Sequence, residues 1–232
     1  HLHLLTGRAS EQLTFDTQVE IADILGYRST RAQRGVERFM QDYFTHAKHV
    51  GDLTRIFLAA LEARHVKPRP TLGRAFRNVF SFGREAAAQG YRLRHGRLDI
   101  VDHDTFLENP INILKLFQEE HATGIPIHPD ALRLVTANLH LIDDRLRACP
   151  EANRLFLDLL LSHNNPEGAL RLMNEVGVLG AFIPEFGRVV AMMQFNMYHH
   201  YTVDEHIIQT ISTLSKIERG ELVEALPITT EI

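Results

Sequence analysis

The residues of this chain best suited to chemistry are its fourteen histidines, and two groups of them have a telling spacing. His46 and His49 stand three apart in a stretch of helical period, which puts both rings on one helix face. Asp52 lies one further turn along, so a ligand set of two imidazoles and a carboxylate can be drawn there. The plain alternative is a pair that packs on, or snorkels from, a surface helix. The second group closes the string Tyr198-His199-His200-Tyr201-Thr202-Val203-Asp204-Glu205-His206. Thr202, followed three residues later by Glu205, reads as a capping box. A helix then starts at Val203 and carries His206 within one turn of its start. A histidine there, on the side facing other helices, is placed to bind a metal ion through one ring nitrogen. A carboxylate such as Asp204 can orient the other nitrogen, or can instead serve the positive end of the helix dipole. A lone buried histidine is also a common structural residue, and on residue types alone both readings stand.

Charge supplies a third feature. Residues 64–97 hold nine Lys or Arg against one acid, Glu85, a net +8, while residues 1–63 sum to −1 and residues 98–232 to −11. Arg74, Arg77 and Arg84 lie in this basic belt, which can face a phosphate-bearing ligand or, more simply, form a solvated loop that balances the acidic half. A nucleic-acid surface is not expected: the belt has only Phe76, Phe80, Phe82 and Tyr91 as aromatics, no known module, and the rest of the chain is acidic. A Gly-rich nucleotide loop is absent from the sequence. The single cysteine, Cys149, excludes an internal disulfide framework and a cysteine-based zinc cluster, and fits a reducing compartment such as the cytoplasm. No run approaches the roughly 18 apolar residues of a membrane span. The chain opens at His1 within one apolar stretch and stops at Ile232 within another, so both ends read as cuts in a longer protein.

The elements that must position these residues are mostly helical. With 44% hydrophobic residues the chain can build one large core or two small ones. Residues 10–26 place Leu13, Val19, Ile21, Ile24 and Leu25 near one stripe that ends at Gly26. Residues 30–65 read as one or two long helices, with Val36, Phe39, Met40, Tyr43, Phe44, Val50, Leu53, Ile56, Phe57 and Leu61 at three- and four-residue steps, before Pro68 and Pro70 stop them. Residues 66–89 have little periodicity. Residues 91–101 alternate around His95-Gly96, the signal of a β-hairpin and the one strand pair expected. Asn109-Pro110 and His128-Pro129 open helices, the first with Leu114, Leu116 and Phe117 as its apolar side. Residues 151–163 and 167–176 give two more, separated by Asn164-Asn165-Pro166, and an apolar, turn-rich link follows from Gly177 to Pro184. Residues 203–217 are amphipathic, with Ile207, Ile208, Ile211 and Leu214 on one face. The fold class expected is all-α, a helical bundle with one short hairpin near residues 91–101.

Several of these stretches resemble one family. His199, Tyr201-Thr202-Val203-Asp204-Glu205-His206 and the preceding Met193-Gln194-Phe195 look like the entry to the HD domain of the bifunctional uridylyltransferase/uridylyl-removing enzymes that modify the nitrogen-signalling protein PII. His3-Leu4-Leu5-Thr6-Gly7-Arg8, Leu13-Thr14-Phe15-Asp16 and Gln18 resemble the helical segment behind that family's nucleotidyltransferase core. Val36-Glu37-Arg38-Phe39-Met40, Tyr43-Phe44 and Ala47-Lys48 are similar to its next long helix. Phe106, Asn109-Pro110, residues 114–117, Gly177-Val178-Leu179-Gly180 and Ile183-Pro184-Glu185-Phe186 resemble later helices, in the right order. The resemblance covers about residues 1–65 and 104–218.

The resemblance implies an enzyme that attaches UMP to PII when glutamine is scarce and removes it when glutamine is plentiful. Residues 1–100 would be the C-terminal helical part of the transferase half, 101–195 a helical connector, and 196–232 the start of the HD domain. It implies that His206 is the first ligand of a Mg²⁺ or Mn²⁺ site, with His199 and Asp204 as supporting residues, and that Arg8, Arg74, Arg77 and Arg84 approach UTP or PII. The His-Asp pair and the later Asp that complete an HD site do not follow His206 before Ile232, and the transferase carboxylates are also missing. The chain alone is therefore expected to be inactive in both directions. Rival readings are an HD-type phosphohydrolase of a small nucleotide and a non-catalytic helical interaction module. The related adenylyltransferase of glutamine synthetase lacks an HD domain, so the Tyr-Thr-Val-Asp-Glu-His string speaks against it.

Overall fold

A computed structural model describes residues 1–9, 11–65, 90–193 and 202–226, with part of the side chains from 52 to 65 left out. The fold is mostly helical with one two-stranded antiparallel hairpin, as the sequence pattern indicates. Contacts divide the chain into two units, His1–Gly51 with Arg188–Ile207, and Asp52–Gly187 with Ile208–Ile232.

The first unit begins with α1 (Leu2–Thr6) and α2 (Phe15–Ile24) and continues into α3 (Gly35–His65), a single helix of 31 residues. Its core joins Ile21 and Ala22 of α2 to Val36, Phe39 and Met40 of α3 and to Met193. The buried face of α2 is Gln18, Ile21 and Ala22, one step around from the stripe the hydrophobic residues suggest, and Val19, Ile24 and Leu25 are exposed. Gln18 can occupy that face because its amide donates to the Leu13 carbonyl at 3.0 Å. The start of α3 is fixed by Gly35. Its N–H donates to Ser29 Oγ at 3.0 Å, and a Cβ there would stand 2.5 Å from the Tyr27 carbonyl oxygen. Beyond Phe44 the apolar stripe of α3 turns outward, so that Val50, Leu53 and Phe57 are exposed.

In the second unit, β1 (Tyr91–Arg94) pairs with β2 (Arg97–Ile100) in the register Tyr91↔Ile100 and Leu93↔Leu98. The two-residue turn has positive φ at both positions, 53° at His95 and 74° at Gly96, the geometry of the hairpin turns whose twist matches the strands. Residues 126–128 lie along the free edge of β2: Leu98 N–H donates to the Pro126 carbonyl at 2.9 Å and His128 N–H to the Leu98 carbonyl at 2.7 Å.

Helices α4 (His103–Glu108), α5 (Ile111–Thr123), α6 (Pro129–Ala137), α7 (Asp144–Arg147), α8 (Pro150–Leu160) and α9 (Glu167–Glu175) follow. The Pro-marked starts are right to within a residue: Pro129 is the first residue of α6, whereas Pro110 is the cap of α5. The apolar link after Gly177 is not loop but two short helices, α10 (Val178–Phe182) and α11 (Pro184–Gly187). Leu98, Ile100, Leu116, Phe117, Val135 and Leu170 centre the core of this unit.

The last helix, α12 (Val203–Glu218), buries Asp204, Ile208 and Ser212 at four-residue steps, while Leu214 is exposed. Two polar residues share its buried face, which is why a reading by hydrophobicity alone centres that face wrongly. Ser212 is satisfied there: its hydroxyl donates to Glu167 Oε2 at 2.6 Å and accepts from Asn165 Nδ2 at 2.8 Å.

His128 gives a pH-dependence. Its Nδ1 accepts from the N–H of Asp130 at 3.1 Å and so caps α6, which requires the unprotonated nitrogen. Burial lowers its pKa below the usual 6.5, against the pull of Asp99 and Asp130. As pH falls below about 6.5 the unfolded chain takes up this proton before the folded one does, so stability drops until the folded-state pKa is reached. His128→Asn keeps an acceptor at the cap and removes the proton, and is expected to flatten the pH-dependence of urea unfolding just below about pH 6.5. An unchanged slope would assign it to other groups.

Candidate functional site

The site is built around the start of α12. His206 lies in its first turn, and its N–H donates to the Thr202 carbonyl at 2.9 Å. The residue is exposed rather than turned into the helical core. Asp204, two residues before, is buried. One of its oxygens accepts from the N–H of Ala191 at 3.1 Å, and the other stands 3.9 Å from Lys48 Nζ of α3. Val203 N–H donates to the Met192 carbonyl at 2.8 Å. Residues 191–192 and 203–204 thus meet at a neck held by two hydrogen bonds. Ala191 adopts a left-handed backbone, φ 56°, unusual for a residue other than glycine.

The other residues singled out by sequence are scattered. His199, Arg74, Arg77 and Arg84, and the side chain of Asp52, lie outside the described residues. Arg8 is exposed just after α1. His46 and His49 are exposed on α3, and His46 Nδ1 is 2.7 Å from the Asp42 carbonyl. Among the described residues no three His, Cys, Asp or Glu side chains are grouped to hold a metal ion. The described residues do not form a metal centre by themselves, and His206 is exposed among them.

Two arginines of the basic belt are not free for a phosphate. Arg92 places Nε and an outer guanidinium nitrogen 3.0 and 2.8 Å from the same oxygen of buried Asp99. Arg94 donates to Asp130 at 2.8 Å, and Arg133 bonds the other oxygen of that carboxylate. The hydrogen bond from Arg133 comes first among the causes that hold the Asp130 carboxyl below its usual range. Asp99 is buried but Arg92 is half exposed, so removing Arg92 strands a buried carboxylate beside solvent, at a cost below the roughly 3–5 kcal/mol of a fully buried pair. Arg94 also stands 3.8 Å from Asp99. Arg92→Met is therefore expected to lower unfolding stability by about 2 kcal/mol, between the worth of an exposed and of a buried pair, measured by urea unfolding. A loss under about 1 kcal/mol, the worth of an exposed pair, would mean that solvent or Arg94 replaces it fully.

A cavity of about 240 Å³, lined by Val19, Asp23, Ser29, Arg34, Gly35 and Val36, opens beside the start of α3. No spacing in the sequence marks these residues, nor does any mark Lys48 as the partner of Asp204. Asp204 is marked in the sequence as a residue that can orient His206 or serve the helix N-terminus, but its burial depends on contacts distant in the chain.

Residues 91–182 match the family model described as "Uridylyltransferase GlnD third domain", and residues 1–58 match the one described as "GlnD PII-uridylyltransferase". The chain is 61% identical, over its whole length, to 25% of a bifunctional uridylyltransferase/uridylyl-removing enzyme from Ruegeria pomeroyi. It is 60% identical, again over its whole length, to 24% of the enzyme of that name from Cereibacter sphaeroides. The chain belongs to the bifunctional uridylyltransferase/uridylyl-removing enzyme family. It spans about a quarter of the length of these curated relatives. No solved structure matches it significantly. Among the described residues no helix is long and apolar enough to cross a membrane.

Proposed function

We propose that this chain is the helical region between the two active sites of an enzyme that attaches UMP to PII and removes it, together with the first helix of the HD domain that performs removal. The observation that carries this reading is the identity of 60–61% across all 232 residues to enzymes named for both activities. On this reading residues 1–100 close the transferase half, 101–195 form the connector and 196–232 begin the removal domain. UTP and PII are substrates of the whole protein, glutamine is its signal, and the cytoplasm its compartment, consistent with the single cysteine.

His206 is the first metal ligand, with His199 and Asp204 in support. Mg²⁺ or Mn²⁺, when bound, would activate water against the phosphodiester of modified PII. What this chain contributes is an imidazole exposed at the start of a helix. Arg8, Arg74, Arg77 and Arg84 belong to the same proposal as contacts for UTP phosphates or for PII. The test is His206→Ala in the full-length protein, with attachment and removal assayed side by side. Loss of removal alone supports the reading, and survival of both activities overturns the assignment of His206.

A further inference from the structure

From the neck at the start of α12 we infer that Lys48 and Asp204 form a positioning pair for the removal reaction, so that a residue of the transferase-side helix sets the orientation of His206. The inference rests on the reading of His206 as a metal ligand. Lys48 lies on α3, within residues 1–58 that match the PII-uridylyltransferase family model. Asp204 lies in the first turn of α12, two residues from His206.

Residues two apart on an α-helix project about 200° apart around its axis. Burying Asp204 therefore turns His206 outward, and the structure has Asp204 at 2% exposure with His206 exposed. A buried carboxylate holds that rotation only while its charge is matched. Among its partners are the Ala191 N–H at 3.1 Å and the Lys48 ammonium at 3.9 Å. The Lys48 side chain is itself only 23% exposed, so water screens the pair weakly. The bond from Val203 N–H to the Met192 carbonyl fixes the same turn from the other side. The left-handed Ala191 is a strained conformation that the surrounding contacts must hold, and the bond to Asp204 is one of them.

The pair touches neither PII nor UMP on this account; it acts through His206. Residues that orient metal ligands typically change activity or metal affinity by about 10–100-fold when replaced. In the full-length protein Lys48→Met keeps the length of the side chain and removes its charge. It is expected to lower kcat for removal by about 10–100-fold and to raise the Mn²⁺ concentration needed for half activity. KM for modified PII and the rate of attachment should stay unchanged. Lys48→Arg should restore most of the loss. Amide hydrogen exchange over residues 188–207 supplies a readout independent of activity and should quicken in Lys48→Met and in Asp204→Asn.

Unchanged removal in Lys48→Met, a parallel fall of both activities, or unchanged exchange would each overturn the pair. His206→Ala, assayed alongside, separates the two levels. If it retains removal, the ligand reading fails and takes this inference with it. If it loses removal while Lys48→Met retains it, the positioning pair alone is wrong.

Discussion

If the proposed function holds, alanine at position 206 of the full-length protein is expected to abolish removal of UMP from PII while attachment continues at its normal rate. The size of the effect follows from what the imidazole supplies. Partners that merely orient a metal ligand cost about 10–100-fold when lost, so His206, on the proposal that it is a ligand, should cost at least about a hundredfold. Placement makes the experiment clean. His206 is exposed, and surface substitutions away from special features usually change stability by less than about 0.5 kcal/mol. Loss of removal could not then be blamed on unfolding, and attachment in the same preparation reports whether the protein is intact. Added Mn²⁺ sharpens the result: partial rescue at high concentration would mark weakened metal binding. Survival of both activities would make His206 a surface histidine, even in a protein of this family.

How much of this was readable beforehand depended on whether a feature was local. The hairpin was legible because His95-Gly96 sits between two short alternating runs, and both turn residues do adopt positive φ. The starts of α5 and α6 were legible from Pro110 and Pro129, and the buried side of α5 from Leu114, Leu116 and Phe117. What failed was the inference of buried faces from hydrophobicity alone. Asp204 and Ser212 occupy the inner face of α12 because Ala191, Asn165 and Glu167 satisfy them, and those partners are distant in sequence. Leu214, which the period put inside, is exposed. Likewise Val50, Leu53 and Phe57 repeat at core spacing on α3 and yet face outward. The Tyr-Thr-Val-Asp-Glu-His string pointed to His206, but Lys48 as the partner of Asp204 and the neck at Ala191 depend on tertiary contact and leave no periodic trace.

The stability of the larger unit should depend most on Phe117. Its ring is fully buried on α5, in one cluster with Leu98 and Ile100 of the hairpin, Val135 of α6, Leu170 of α9 and Val178 of α10. Truncating such a residue loses the transfer free energy of the removed atoms and leaves a cavity that neighbours from several elements can close only in part. Phe117→Ala is therefore expected to cost about 3–5 kcal/mol, read as a lower urea midpoint with little change in slope. Phe117→Leu, which refills most of the volume, should cost clearly less. The ordering of the two variants tests packing, because a role for the ring as such would penalise both alike. A loss below about 1 kcal/mol for alanine would mean that the hairpin and the helices do not unfold as one cooperative unit around this residue.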